Sequence, residues 1–183
     1  MTRKCKVCRE VFTPTKPMQS VCSPDCALSL ATSKRAKAVK VEQVKERRAD
    51  KVKRDKLKSK SDWAKEAQTA FNRFIRLRDH DQPCISCGRH HTGQYHAGHY
   101  LSVGARPELR FCETNVHKQC SVCNNHLSGN VVMYRIGIFK KLGLQAVDWL
   151  EGPHPLRHDT IDDLKTLAAR YNMMARELKE KQE

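Results

Sequence analysis

Nine cysteines dominate what this 183-residue chain can fold into, because eight of them fall into four close pairs. They are Cys5-x2-Cys8, Cys22-x3-Cys26, Cys84-x2-Cys87 and Cys120-x2-Cys123, with Cys112 alone. Two cysteines two or three residues apart can present both thiolates to one tetrahedral ion from a tight turn, whereas a disulfide between them would be strained. The N-terminus, Met1-Thr2-Arg3-Lys4-Cys5, lacks the apolar segment of a signal peptide, and no apolar run approaches the ~18 residues of a membrane span. The expectation is a cytoplasmic chain in a reducing compartment, with no membrane partner and two structural Zn2+ ions, each on four cysteines.

The rest of the composition agrees that burial alone does not hold this chain together. Apolar residues make up 39% and aromatics 6%, while 35 Lys and Arg against 20 Asp and Glu leave a net charge of +15. Residues 1–26 carry two cysteine pairs but only Val7, Val11, Phe12, Met18 and Val21 as apolar stock, so zinc binding there is the folding free energy. A short hairpin is expected around Val11-Phe12. Residues 27–60 contain no Gly, Pro or aromatic residue. Between Lys34 and Lys60, 13 Lys and Arg against 4 Asp and Glu give a net +9, which predicts an exposed basic helix of about 34 residues. A solvated linker competes with that reading, but its charge would be more evenly mixed.

Residues 61–183 read as the folded body. Ser61-Asp62 reads as a helix start before Trp63, Ala67, Ala70, Phe71 and Phe74, which share one helical face. The glycine- and proline-punctuated stretch 84–118 suits turns and a β-hairpin near Tyr95–Leu101. Val131–Leu142 and Leu144–Leu150 read as helices separated by Gly143, and Thr160-x-x-Asp163 as the capping box of a last helix. The fold class expected is small, zinc-stabilised α+β: a zinc module over 1–26, a basic helix over 27–60, and a body over 61–183.

The chemistry-bearing residues cluster between the last two cysteine pairs. His96-Ala-Gly-His99, Asn115 and His117 lie there, with Asn124 and His126 just after Cys123, beside a zinc site whose four thiolates leave no open position for water. Phosphodiester hydrolysis needs an activated water, a cation and clamps on the backbone. A neutral imidazole can take a proton from water near pH 7. His90 and His91 read as turn residues, and Cys112 as a packed thiol or spare ligand.

Cys-x2-Cys, a Gly-His dipeptide, an Asn five residues before a second Cys-x2-Cys, and an Asn directly after it resemble the HNH endonucleases of ββα-metal fold. The runs Ala97-Gly98-His99-Tyr100, Leu109-Arg110-Phe111, Asn115 to Cys120 and Ser128-Gly129-Asn130 resemble more closely the lambdoid-phage NinG (Rap) recombination endonuclease family. That resemblance implies an HNH-like, treble-clef-like nuclease body, with His99 as general base and Asn115 orienting it. Asn124 would be a ligand of a catalytic Mg2+ or Mn2+. Many HNH enzymes carry a ligand directly before the base; this chain has Gly98, which makes His96 the replacement, with His117 and His126 as alternatives. The implied function is metal-dependent cleavage of DNA, branched substrates such as D-loops and Holliday junctions included, in a phage-infected cell. A homodimer would suit paired incisions. A zinc-dependent DNA-binding protein without catalysis is the alternative, and a zinc-scaffolded adaptor a third that leaves the +15 charge unused.

Overall fold

The structure, a computed structural model, describes residues 2–182 and divides between Leu57 and Lys58 into two compact units. In the first, β1 (Arg3–Lys4) pairs antiparallel with β2 (Val11–Phe12), and α1 runs from Pro24 to Leu57. The helix begins earlier than the composition shift at residue 27 indicates, for a local reason. The Ser23 hydroxyl accepts the Cys26 N–H, Pro24 supplies a preset φ, and Asp25 faces the positive end of the helix dipole. Cys26 therefore sits in the first turn of α1. None of the 34 residues of α1 is buried, and Val39, Val41, Val44 and Val52 all face solvent.

The second unit opens with α2 (Lys60–Arg78). Its cap is Ser59 and not Ser61: the Ser59 hydroxyl accepts the Asp62 N–H while the Asp62 carboxylate accepts the Ser59 N–H. Asp62 has to stand three residues after the cap for this reciprocal box, which selects Ser59. An antiparallel hairpin follows, β3 (Tyr95–His99) against β4 (Val116–Cys120), then one turn of π-helix over Val122–His126. The helices α3 (Val131–Leu142), α4 (Leu144–Glu151) and α5 (Ile161–Glu180) complete the unit, the last opened by the Thr160–Asp163 capping box.

Two apolar clusters hold it together. One is the α2–α5 pair, where Trp63, Ala67, Phe71 and Phe74 meet Leu164, Ala168, Tyr171 and Ala175, with Phe111 and Val116 docked alongside. Phe71 and Tyr171 pack edge to face at 4.8 Å. The other joins Tyr100 and Leu109 to Tyr134, Ile138, Val147 and Leu150 of α3 and α4. Between them Asp79, 3% exposed, accepts from the Arg78 guanidinium, the Lys118 N–H and the Lys141 ammonium, tying α2, β4 and α3 together. The aromatic residues of α2 are thus core, as their spacing predicts.

Candidate active site and its zinc frame

The two cysteine tetrads each bring four Sγ atoms within 4.8 Å of one another: Cys5, Cys8, Cys22 and Cys26, and Cys84, Cys87, Cys120 and Cys123. Zn–S bonds of about 2.3 Å in a tetrahedron need sulfurs about 3.8 Å apart. The 3.4 Å between Cys8 and Cys22 and the 3.6 Å between Cys22 and Cys26 lie close to that. Both sites use one local design. In each, the first cysteine N–H reaches a carbonyl five residues on (Cys5 to Glu10, Cys84 to Arg89), and the residue after the second cysteine bonds back to the first cysteine's carbonyl. That residue needs a left-handed backbone, which Arg9 (φ 68°) adopts in one knuckle and Gly88 (φ 66°) in the other. Each second pair then stands at a helical start, α1 or the π-turn. Backbone and side-chain donors surround the sulfurs: Cys120 N–H to Cys84, Asn130 Nδ2 to Cys123, and His91 Nε2 at 3.2 Å from Cys87. His91 is therefore a partner of the Cys87 sulfur and not only a turn residue. Cys112 lies outside both tetrads, its Sγ 3.0 Å from the Thr114 hydroxyl.

His99 ends β3, and its Nε2 lies 3.0 Å from the Arg110 carbonyl. A carbonyl only accepts, so Nε2 carries the hydrogen and Nδ1 keeps its lone pair. Burial, with the Arg110 guanidinium adding, holds the imidazole below its ordinary pKa of 6.5, so the ring is neutral at pH 7. Asn115 is fully buried and does not bond the ring. Its Oδ1 accepts the Leu101 N–H at 2.9 Å, and its Nδ2 donates to the carbonyls of Leu101 and Leu109. It pins both ends of the 101–109 loop, and with it the carbonyl of Arg110 that holds His99. It is a positioning residue, one step removed from the imidazole.

His99 and Asn124 line one cleft of about 370 Å3, with Ser102, Ser128, Gly129 and Val131 around them. Asn124 Nδ2 donates to Asn125 Oδ1, which leaves its own Oδ1 open to a ligand. Among the described residues no carboxylate lines this cleft. His96 does not line it either. The register from Tyr95↔Cys120 to His99↔Val116 is unbroken, so strand alternation puts His96 and Gly98 on the face opposite His99. That opposite face carries His96 Nε2, Gln119 Oε1 and His117 Nδ1, the buried side-chain polar atoms without a partner among the described residues. Gly98 is needed there because a Cβ would collide with the Gln119 side chain, whose Nε2 donates to Ser86 Oγ and the Gly129 carbonyl. His117, 3% exposed, is pushed down to about 3 by burial and by Lys141 and Arg78, and stays neutral. The Tyr134 hydroxyl bridges the strands, accepting the His117 N–H and donating to the Gly98 carbonyl. His126 is exposed, outside the cleft lining. Sequence reasoning misses Gln119 and Tyr134, because a lone Gln in a strand and a Tyr in a helix carry no signal.

The family model described as Bacteriophage Lambda NinG protein matches residues 1–183. The chain belongs to the NinG family. Among NinG relatives, the protein ninG of Escherichia phage lambda is 42% identical over 194 residues, covering 97% of this chain and 93% of the relative. That of Salmonella phage P22 is 42% identical over 195 residues (97% and 94%), and that of Escherichia phage 933W 41% over 192 (97% and 94%). No solved structure matches the chain. Among the described residues no helix is long and apolar enough to cross a membrane.

Proposed function

We propose that this NinG-family chain is a divalent-ion-dependent, HNH-type DNA endonuclease acting on branched DNA in phage recombination. The carrying observation is the pairing, in one cleft, of a neutral His99 whose tautomer is fixed by the Arg110 carbonyl with Asn124 whose Oδ1 is open. A two-stranded hairpin, a helical turn and a closed cysteine tetrad frame that cleft, which supports a ββα-metal, treble-clef-like reading of residues 58–182. His99 Nδ1 takes the proton of the attacking water, and the Nε2–H bond keeps the ring from rotating as it becomes charged. Asn115 acts on that geometry through the loop. A divalent ion in the cleft would supply positive charge at the scissile phosphate. The donors fit such an ion in part. Asn124 Oδ1 is open to it, with the Ser102 and Ser128 hydroxyls in the same lining, and without a carboxylate water and the phosphate itself would complete the ligand set.

The test is incubation of the zinc-loaded full chain with linear duplex, single strand, D-loop and four-way junction, with and without Mg2+ or Mn2+. Ion-dependent incision of the branched substrates is expected. Binding without incision under every condition supports instead the non-catalytic DNA-binding reading, which the basic α1 favours. The pH profile adds an independent check. A base must be unprotonated to act, and His99 has a pKa lowered from 6.5, so the single-turnover rate is expected to be level from pH 7 upward and to fall on acidification through a midpoint below 6.5. A rate still climbing above pH 8 would place the base elsewhere.

The fully solvated α1 is the proposed nonspecific DNA contact. With 11 Lys and Arg against 5 Asp and Glu, a net +6, and no buried residue, it tracks phosphate without reading sequence; Lys58 and Lys60 of the basic run lie beyond its end, Lys60 opening α2. Replacing four of its Lys or Arg residues with Gln is expected to make the slope of log affinity against log salt shallower by about four, at ~0.9 for each phosphate left unneutralised. Affinity should fall equally on every DNA shape. An unchanged slope in the salt titration would make α1 a spacer.

A further inference from the structure

The outward side of α3 has the wrong chemistry for a solvated helix. Tyr134, Gly137 and Ile138 face inward, Gly137 so closely that a Cβ would collide with the Ile85 carbonyl. The opposite side should then be charged. Instead it carries Val132 (74% exposed), Ile136 (40%) and Phe139 (50%), spaced i, i+4, i+7, with Met133 and Leu142 on its flanks and Leu144 just beyond. Of the two charges that border this stripe, Arg135 is drawn aside by a two-pronged bond to Glu151 at 2.7 and 3.1 Å, and Lys140 stands exposed at its edge beside Ile136.

We propose that this face is the interface of a two-fold dimer of the chain. Those six side chains present roughly 500 Å2 of apolar surface on each copy and about 1,000 Å2 across a pair before any polar rim is counted, the threshold for a specific protein interface. A two-fold axis sets a patch against itself, and a neutral apolar stripe is complementary to its own copy, so it can pair despite a net charge of +15 on each chain. DNA, the other partner invoked for this protein, is met by cations and not by a Val-Ile-Phe stripe. On the nuclease reading the dimer carries two His99 clefts, one for each strand of a paired incision, but the interface stands on its own observations.

Analytical ultracentrifugation of the zinc-loaded full chain tests it without any activity measurement. An interface at the lower size limit is expected to be a weak one, so the mass should rise from 21.0 kDa toward twice that value between about 1 and 100 µM. Phe139→Glu, which touches neither apolar cluster, should stay at 21.0 kDa over the whole range with its zinc content unchanged. Leu156→Glu, a control at a 72% exposed residue outside the stripe, should dimerise like the parent. A parent chain monomeric at every concentration, a mass that doubles only when DNA is added, or a Phe139→Glu variant that still dimerises would each overturn the assignment. So would equal loss of dimer in both variants.

Discussion

Cys84→Ser is expected to remove one of two zinc ions and to melt the segment from the Cys84 knuckle through Asn130, while α2 and α5 stay paired. Apparent zinc binding at a four-cysteine site is worth ~10–16 kcal/mol, as large as the whole stability of an ordinary domain. Two strands of five residues are marginal by themselves, and Cys84, Cys120 and Cys123 form the buried cluster at one end of β4. The α2–α5 core, by contrast, contains no cysteine. Hydrogen exchange should therefore show β3 and β4 amides losing protection by several orders of magnitude while α2 and α5 keep most of theirs. Elemental analysis should fall from two zinc to one. Cys5→Ser should release the other ion and leave exchange in residues 58–182 unchanged, because the units divide at Leu57. Two zinc retained in Cys84→Ser, or an unaffected hairpin, would remove the tetrad from its structural role.

The cysteine tetrads are legible in the sequence because ligand spacing is a local property, set by the turn that two thiolates share. The Thr160–Asp163 box and the inward face of α2 are legible for the same reason. What escapes depends on partners distant in sequence. The family resemblance sets Asn115 against His99, yet its bonds go to Leu101 and Leu109, and a long-range loop closure cannot be seen from residue spacing. Gly98 reads as a missing ligand, whereas it is the space into which Gln119 packs. His96 joins His99 on proximity along the chain and on the family resemblance. The strand period already separates them, since residues three apart in a regular strand face opposite ways. His91 reads as a turn residue because its contact with the Cys87 sulfur depends on the knuckle geometry.

His99→Ala should lower the single-turnover cleavage rate by about 10²–10⁴-fold, the usual loss when a general base is removed, with DNA affinity changed less than about twofold. The asymmetry follows from the ring's surroundings. Its polar partner among the described residues is the Arg110 carbonyl, so the deletion removes a proton acceptor and one hydrogen bond worth ~1 kcal/mol, but no cation that a phosphate could use. Asn115→Ala is expected to behave differently. It takes the Asn115 partner from the Leu101 N–H and carbonyl and leaves the Leu109 carbonyl with the Cys112 N–H alone, so melting temperature and cleavage should fall together. His117→Ala supplies the contrast within the same hairpin: the ring is buried away from the cleft and held neutral, so any loss of rate should track loss of stability. Asn124→Ala should keep the rate at saturating ion and raise the Mn2+ concentration needed for half of it. If His99→Ala retained full cleavage while His117→Ala lost it at unchanged stability, the base would lie on the other face of the hairpin, with His96, Gln119 and His117, and the cleft of His99 and Asn124 would be left as a DNA contact.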